Sequence, residues 1–276
     1  MPPAPNPGPL STPLKGVNDA WHGPLPPDIV AHYAGYGCVD LTIRTPQLSG
    51  EALRAYYASV ADLSLYYRSF IGGRLRTIAL VEGQDVTLGA DLAREHPDAV
   101  ENGNELELPP HELTPQQYAF LQGTMHDAER ATGFAGDIIM GGVYALTDET
   151  KQAITLALVR CATSRITPAL VTIGANVDRV PDCLIGVHLY TISSEDIAWL
   201  NAQNADVAIT ETGSPTNCDP AKLQSQAAYQ DTLYAAARQI QRLRYFIIYQ
   251  AVDGPSCSSL DTFGIRNKPA ENFLRK

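Results

Sequence analysis

Two rhythms alternate along this chain. Short runs rich in Val, Ile, Leu and Thr, each closed by Gly, Asn, Asp or Pro, are separated by longer stretches with apolar residues at helical spacing. The strand-like runs are LKGVNDA (14–20), CVDLTIRTP (38–46), LRTIALVEG (75–83), AVENGNELEL (99–108), DIIMGGVYAL (137–146), CLIGVHLYT (183–191), DVAITETGSP (206–215) and YFIIYQAVDG (245–254). The helical stretches cover 26–37, 49–70, 86–97, 114–133, 148–164, 193–204 and 219–243. Ser49 and Thr114 stand where N-caps belong, Pro115 follows at the first helical position, and Ser193 with Asp196 has the spacing of a capping box. PALVTIGAN (168–176) is a further apolar segment, either an extension of the fifth unit or a strand of its own.

Strands that are apolar along most of their length, each followed by a helix, predict a parallel sheet covered on both faces. Eight such units predict a closed (β/α)8 TIM barrel forming a single domain over 14–276, after a Pro-rich tail over 1–13. The length of 276 residues suits that architecture. The alternative is an open doubly wound sheet. That fold carries a Gly-rich phosphate turn after its first strand, and GVNDAWHGP is not one.

Charge narrows the partners. The formal charge is −10 and no Lys/Arg cluster is present, so nucleic acid and anionic membrane surfaces are poor partners on electrostatic grounds. There is no apolar run of about 18 residues to insert in a bilayer. A neutral substrate is not repelled. The segment MPPAPNPGPLSTP has neither a basic n-region nor an apolar h-region. The five cysteines form no CxxC pair and match no zinc spacing. Cys38 and Cys183 adjoin apolar runs and are expected as small core residues. Cys218 and Cys257 lie in loop-like stretches where a disulfide is open to them.

In a barrel of this kind the chemistry sits at the C-terminal ends of the strands. Those ends offer Asn18, Asp19, Trp21 and His22; Arg44; Glu82 and Asp85; Asn104 and Glu105; Tyr144; His188 and Tyr190; Glu211; and Tyr249, Gln250 and Asp253. No Ser-His-Asp order, HExxH motif or phosphate loop is among them. Two carboxylates in different surroundings suit glycoside hydrolysis, one as proton donor and one as nucleophile. The fourth and seventh strands face one another across a barrel, so Glu105 and Glu211 reach one sugar from two sides. Glu82, Glu101 and Glu107 are the competing carboxylates, and alternation places Glu107 toward solvent. Trp199 and the tyrosines 56, 57, 66 and 67 lie on helices at core spacing and read as packing.

NGNELEL resembles the Asn-Glu signature that ends the fourth strand in glycoside hydrolase clan A, and DVAITETGSP resembles that clan's nucleophile strand. GVHLYT is similar to the His-x-Tyr of the sixth strand, and TIRTP puts Arg44 where the clan often keeps an arginine. The similarity is to retaining β-glycosidases like those of families 5, 17 and 39 and follows the strand order over most of the chain. It implies Glu105 as general acid/base and Glu211 as nucleophile. It implies Asn104 at the sugar 2-hydroxyl, Arg44 and Tyr190 orienting Glu211, and His188 against substrate or Glu105. Trp21 and Tyr249 would form part of a sugar platform. No metal or organic cofactor is required, and the partner is an oligo- or polysaccharide. ETGSP and FGI resemble β-1,3-glucanases and favour a β-glucan. A glycan substrate favours a secreted or extracytoplasmic location if the N-terminus was processed. At the eighth strand many members carry a tryptophan, whereas this chain reads YQAVDG; a carbohydrate-binding barrel that has lost turnover is the second expectation. A third, an isomerase or aldolase barrel, would want a strand-end lysine, and strands six to eight supply none.

Overall fold

Runs such as VAITE and CLIGVH have no polar face, so they are stable only when both faces of their sheet are covered. The computed structural model of the protein describes residues 12–18, 33, 36, 40–45, 50–66, 68, 72–81, 83–163, 182–250, 263–265 and 268–275. Within them the strands are β1 (Leu14–Asn18), β2 (Asp40–Arg44), β3 (Arg74–Val81), β4 (Ala99–Asn104), β5 (Asp137–Gly142), β6 (Cys183–His188), β7 (Val207–Glu211) and β8 (Leu243–Ile248). All eight pair in parallel and in chain order, and β8 closes onto β1. The expected single-domain (β/α)8 barrel is the observed fold.

The described helices are α1 (Gly50–Tyr66), α2 (Val86–Arg94), α3 (Pro115–Ala131), α4 (Asp148–Thr163), α5 (Ser194–Ala202), α6 (Leu223–Ala237) and α7 (Asn272–Arg275). Thr114 and Ser193 cap α3 and α5 with complete capping boxes to Gln117 and Asp196, as their spacing predicts, and Asp85 caps α2. Each box satisfies backbone donors that the first turn leaves unpaired. The predicted 219–243 helix starts instead with a 3-10 turn at Pro220–Lys222 and ends at Ala237. The 168–176 segment, the 26–37 helix apart from the buried Tyr33 and Tyr36, and the Ser49 cap lie outside the described residues.

Two apolar regions hold the barrel. Residues such as Val17, Ile43, Val81, Val100, Ile138, Ile185 and Ile209 face the helices. Ile78, Ala99, Ile139, Leu184, Ala208, Tyr245 and Ile247 fill the barrel axis. Burying each of the larger side chains contributes roughly 1.5–3 kcal/mol. Trp199, Tyr56 and Tyr57 pack against the outer region, as helical spacing predicted. Cys183 is buried, but it is not the free core thiol expected from its apolar neighbours. It is bridged to Cys161 on α4, clasping the two ends of the segment between α4 and β6. Cys218 is also disulfide-bonded.

One buried acid marks the helix layer. Glu129 on α3 is fully buried and accepts a hydrogen bond from Asn102 Nδ2 of β4 at 3.3 Å. Burial outweighs that bond and the nearby Arg130, and pushes the carboxyl from 4.5 up to about 8. The folded protein therefore keeps a proton on Glu129 between those values while the unfolded chain releases it, so stability falls as pH rises across that window. Glu129→Gln should remove this slope and be the more stable protein at pH 8.5, by on the order of 1–4 kcal/mol. Denaturant unfolding at pH 5 and 8.5 tests this; equal slopes for parent and variant would refute it.

Candidate active site

The strands end earlier than their apolar pattern suggests, and the site begins where they stop. β4 ends at Asn104, where 99–108 was expected. Gly103 has φ +100, and Glu105 itself adopts a left-handed φ of +48. A non-glycine residue rarely holds that conformation without surrounding constraint. Here the Glu105 N–H donates to Gly142 O at 2.9 Å, and Leu106 beyond it is fully buried. The turn lifts the Glu105 carboxylate out of the strand direction and over the barrel mouth.

Above the apolar plug the barrel axis carries charge. Arg44 at the end of β2 is 1% exposed. Its Nε donates to Glu101 Oε2 at 2.5 Å and its Nη2 to Glu101 Oε1 at 3.1 Å. Its Nη1 donates to Glu211 Oε1 at 2.6 Å, and Nη2 also donates to Asn104 Oδ1 at 2.8 Å. One guanidinium thus ties β2 to both β4 and β7, which its planar fork suits and an ammonium would not. Glu211 receives two further donors, Tyr190 OH at 3.0 Å and Asn18 Nδ2 at 3.3 Å.

His188 ends β6, fully buried. Its Nδ1 lies 2.9 Å from Glu105 Oε1 and 3.8 Å from Glu211 Oε2, and its Nε2 is 3.7 Å from Glu101 Oε1. Room for the ring comes from Gly142, where a Cβ would fall 2.2 Å from His188 Nε2. Burial alone would lower the imidazole, but Glu211, Glu101 and Glu105 around it raise it to about 9. Its contribution to stability is present below its usual 6.5 and is lost as pH rises through about 9. Burial would raise Glu101, but Arg44 and then His188 hold it down at about 2. Tyr190 is pushed well above the usual phenol range by burial and by Glu211, so it stays a donor.

The structure therefore brings Arg44, Asn104, Glu105, His188, Tyr190 and Glu211 into one constellation. Tyr249 stands beside it, its ring 5.4 Å from Phe263, which in turn lies 5.6 Å from Tyr190. Trp21, with Asp19, His22, Glu82 and Asp253, lies outside the described residues. Two competing carboxylates behave otherwise than expected. Glu107 is not solvated: it is half-buried and accepts the Tyr144 N–H at 2.5 Å, and burial raises its carboxyl. Glu101, the second of the competing carboxylates, is fully buried as the anchor of Arg44, with Thr210 Oγ1 donating to it at 2.9 Å. Strand parity carried the signal: Glu101 sits two residues beyond the inward Ala99, and a carboxylate inside a barrel needs a cation.

One oxygen each from Glu105 and Glu211 and one ring nitrogen of His188 all fall within 4.8 Å of one another. Among the described residues this is the group compact enough to grip a metal ion. The arrangement places one carboxylate in a dense set of donors and a second, hydrogen-bonded to His188, close beside it.

Solved structures of several glycoside hydrolases share this closed parallel barrel. An exo-β-1,4-mannosidase from Opitutaceae bacterium strain TAV5 superposes with a TM-score of 0.57 at 15% identity, over 94% of this chain and 58% of its own. The chain thus spans little more than half the length of that mannosidase. The endo-β-1,4-glucanase Xac0029 of Xanthomonas axonopodis pv. citri gives 0.55 at 14% identity, over 95% of this chain and 97% of its own. A β-mannanase of Thermomonospora fusca gives 0.56 at 13%, over 92% and 82%. At these identities the likeness is one of fold. No protein-family model matches the sequence, and no curated protein sequence matches it.

Proposed function

We propose that the protein is a retaining β-glycoside hydrolase acting on a neutral glycan, with a β-glucan the favoured substrate. The observation that carries this is that one carboxylate oxygen of Glu105 and one of Glu211 lie within 4.8 Å of each other at the ends of β4 and β7. A retaining pair stands roughly 5–5.5 Å apart, whereas an inverting pair needs about 6.5–9.5 Å to admit a water. Glu211 attacks the anomeric carbon as the glycosidic C–O bond breaks, and Glu105 gives its proton to the leaving oxygen. Water then attacks the same carbon, its proton passes to Glu105, and the Glu211 carboxylate is released. Arg44, Tyr190 and Asn18 each donate a hydrogen bond to Glu211 and hold it aimed. Asn104, bound through Oδ1 to Arg44, keeps its amide N–H2 for the sugar 2-hydroxyl. Cys161–Cys183 and the bridged Cys218 support a secreted or extracytoplasmic setting, where disulfides persist.

A panel of β-glucans, mannans, xylans and aryl β-glycosides tests the reading, with NMR of the first product. The expected result is cleavage of one substrate class with the β-anomer formed first. An α-anomer would overturn the retaining mechanism. Tight glycan binding without cleavage would favour the second reading, a binding barrel, for which the tyrosine in place of an eighth-strand tryptophan speaks.

A further inference from the structure

Tyr144 is used by none of the steps above, yet among the described residues it is one of the few large apolar side chains left in the open, at 51% exposure. It sits two residues past β5, over the barrel mouth, and its ring centroid is 6.2 Å from that of Tyr190. Its backbone is held from two sides. The Glu107 carboxylate accepts its N–H, and the preceding Val143 bridges to Val187 while accepting the His188 N–H at 2.8 Å. The main chain beneath this solvent-facing ring is thus held in place.

Two concavities meet at this ring. One, of about 280 Å³, is lined by Tyr144 with Thr147, His188, Tyr190, Thr191 and Asp196. The other, of about 450 Å³, is lined by Tyr144 with Glu107, Glu112, Leu113, Thr114 and Thr150. Both lie over β4 to β6, the sector that carries Glu105 and His188. Glu211 is flanked from β1 and β2 by Asn18 and Arg44, and on the other side by Tyr190, which also lines the first concavity. The oxygen that Glu105 protonates belongs to the departing part of the substrate, so that part extends over β4 to β6. Flat aromatic faces pack against the C–H faces of pyranose rings, and the surrounding hydroxyls and carboxylates accept and donate to sugar hydroxyls.

We propose that Tyr144 is the platform for the leaving group, dividing two consecutive sugar subsites, so that the protein selects glycans whose departing portion has two or more sugar residues. This rests on the glycosidase reading and deepens it. The preference then comes from Tyr144 and from the parts of the two concavities that lie away from Glu105 and Glu211.

The test compares kcat/KM on an oligosaccharide series, from trimer to hexamer, with that on an aryl β-glycoside whose phenol departs without sugar contacts. For Tyr144→Ala the ratio of oligosaccharide to aryl-glycoside kcat/KM should fall by roughly 10–100-fold, most steeply for substrates with two departing sugars. Tyr144→Phe should restore the ratio. An unchanged ratio, or equal loss on both substrate types, overturns the platform. If the parent cleaves neither substrate, the glycosidase reading fails by itself. Calorimetric affinity for the same oligosaccharides then decides the platform: weaker binding in Tyr144→Ala supports it, and unchanged binding sinks it.

Discussion

Glu211→Ala and Glu105→Ala should each reduce cleavage of a natural glycan by on the order of a thousand-fold or more, but for different reasons that azide can separate. With Glu211 gone there is no nucleophile on the protein. Azide entering the space attacks the anomeric carbon directly, with Glu105 still able to protonate the departing oxygen, and the product is the α-glycosyl azide. With Glu105 gone, an activated aryl glycoside still transfers its sugar to Glu211, because its phenol needs no proton. Azide then displaces Glu211 and gives the β-glycosyl azide. The anomer of each product, read by NMR, assigns each carboxylate its step. Exchange of the two anomers would make Glu105 the nucleophile and Glu211 the acid. No azide product from either variant, with both folded, would remove the pair from the chemistry.

The second large effect concerns the Arg44–Glu101 pair beneath Glu211. Arg44→Leu strips Glu101 of its bidentate partner while leaving it fully buried, with Thr210 and the more distant His188 as remaining company. Removing one member of a buried pair destabilises by about 3–5 kcal/mol. For a chain of this size that lowers Tm by roughly 6–15 °C. The double variant Arg44→Leu/Glu101→Leu should regain much of that loss, because an apolar pair of similar volume replaces the stranded charge. It should not regain activity, since Glu211 still lacks its 2.6 Å donor. Calorimetry and turnover on the three proteins check both halves. A double variant that is both as unstable as the single one and fully active would contradict the assignment. The same pair sets acid behaviour in the parent. The Glu101 carboxyl is held down at about 2, so its stabilising contribution is present above its usual 4.5 and is lost as pH falls through about 2.

Much of the fold was legible before any coordinates. The alternation of apolar runs with helical stretches identifies eight units, because a strand buried on both faces must be apolar along its length. The caps at Thr114 and Ser193 were readable because a hydroxyl and a partner three residues on are a purely local device. Glu105 and Glu211 stood out as carboxylates where strands stop. The strand ends themselves were overrun, since Leu106, Val143 and Leu189 beyond them are as buried as strand residues but belong to turns over the barrel rim.

What the sequence by itself determined is the order of the elements and the chemistry hung on their ends, both of which depend on near neighbours in the chain. What only the tertiary structure decided is which of those groups meet. Glu101 and Arg44 are 57 positions apart, and His188 and Glu105 are 83 apart. Their contact follows from the closing of the sheet and from the register shift at Val187/His188 that sets His188 beside Glu211. Closure also turns Glu101 from one carboxylate among several into the buried counterion of the site. A charge in that interior is tolerated only with its partner in place, and no local pattern records where that partner will be.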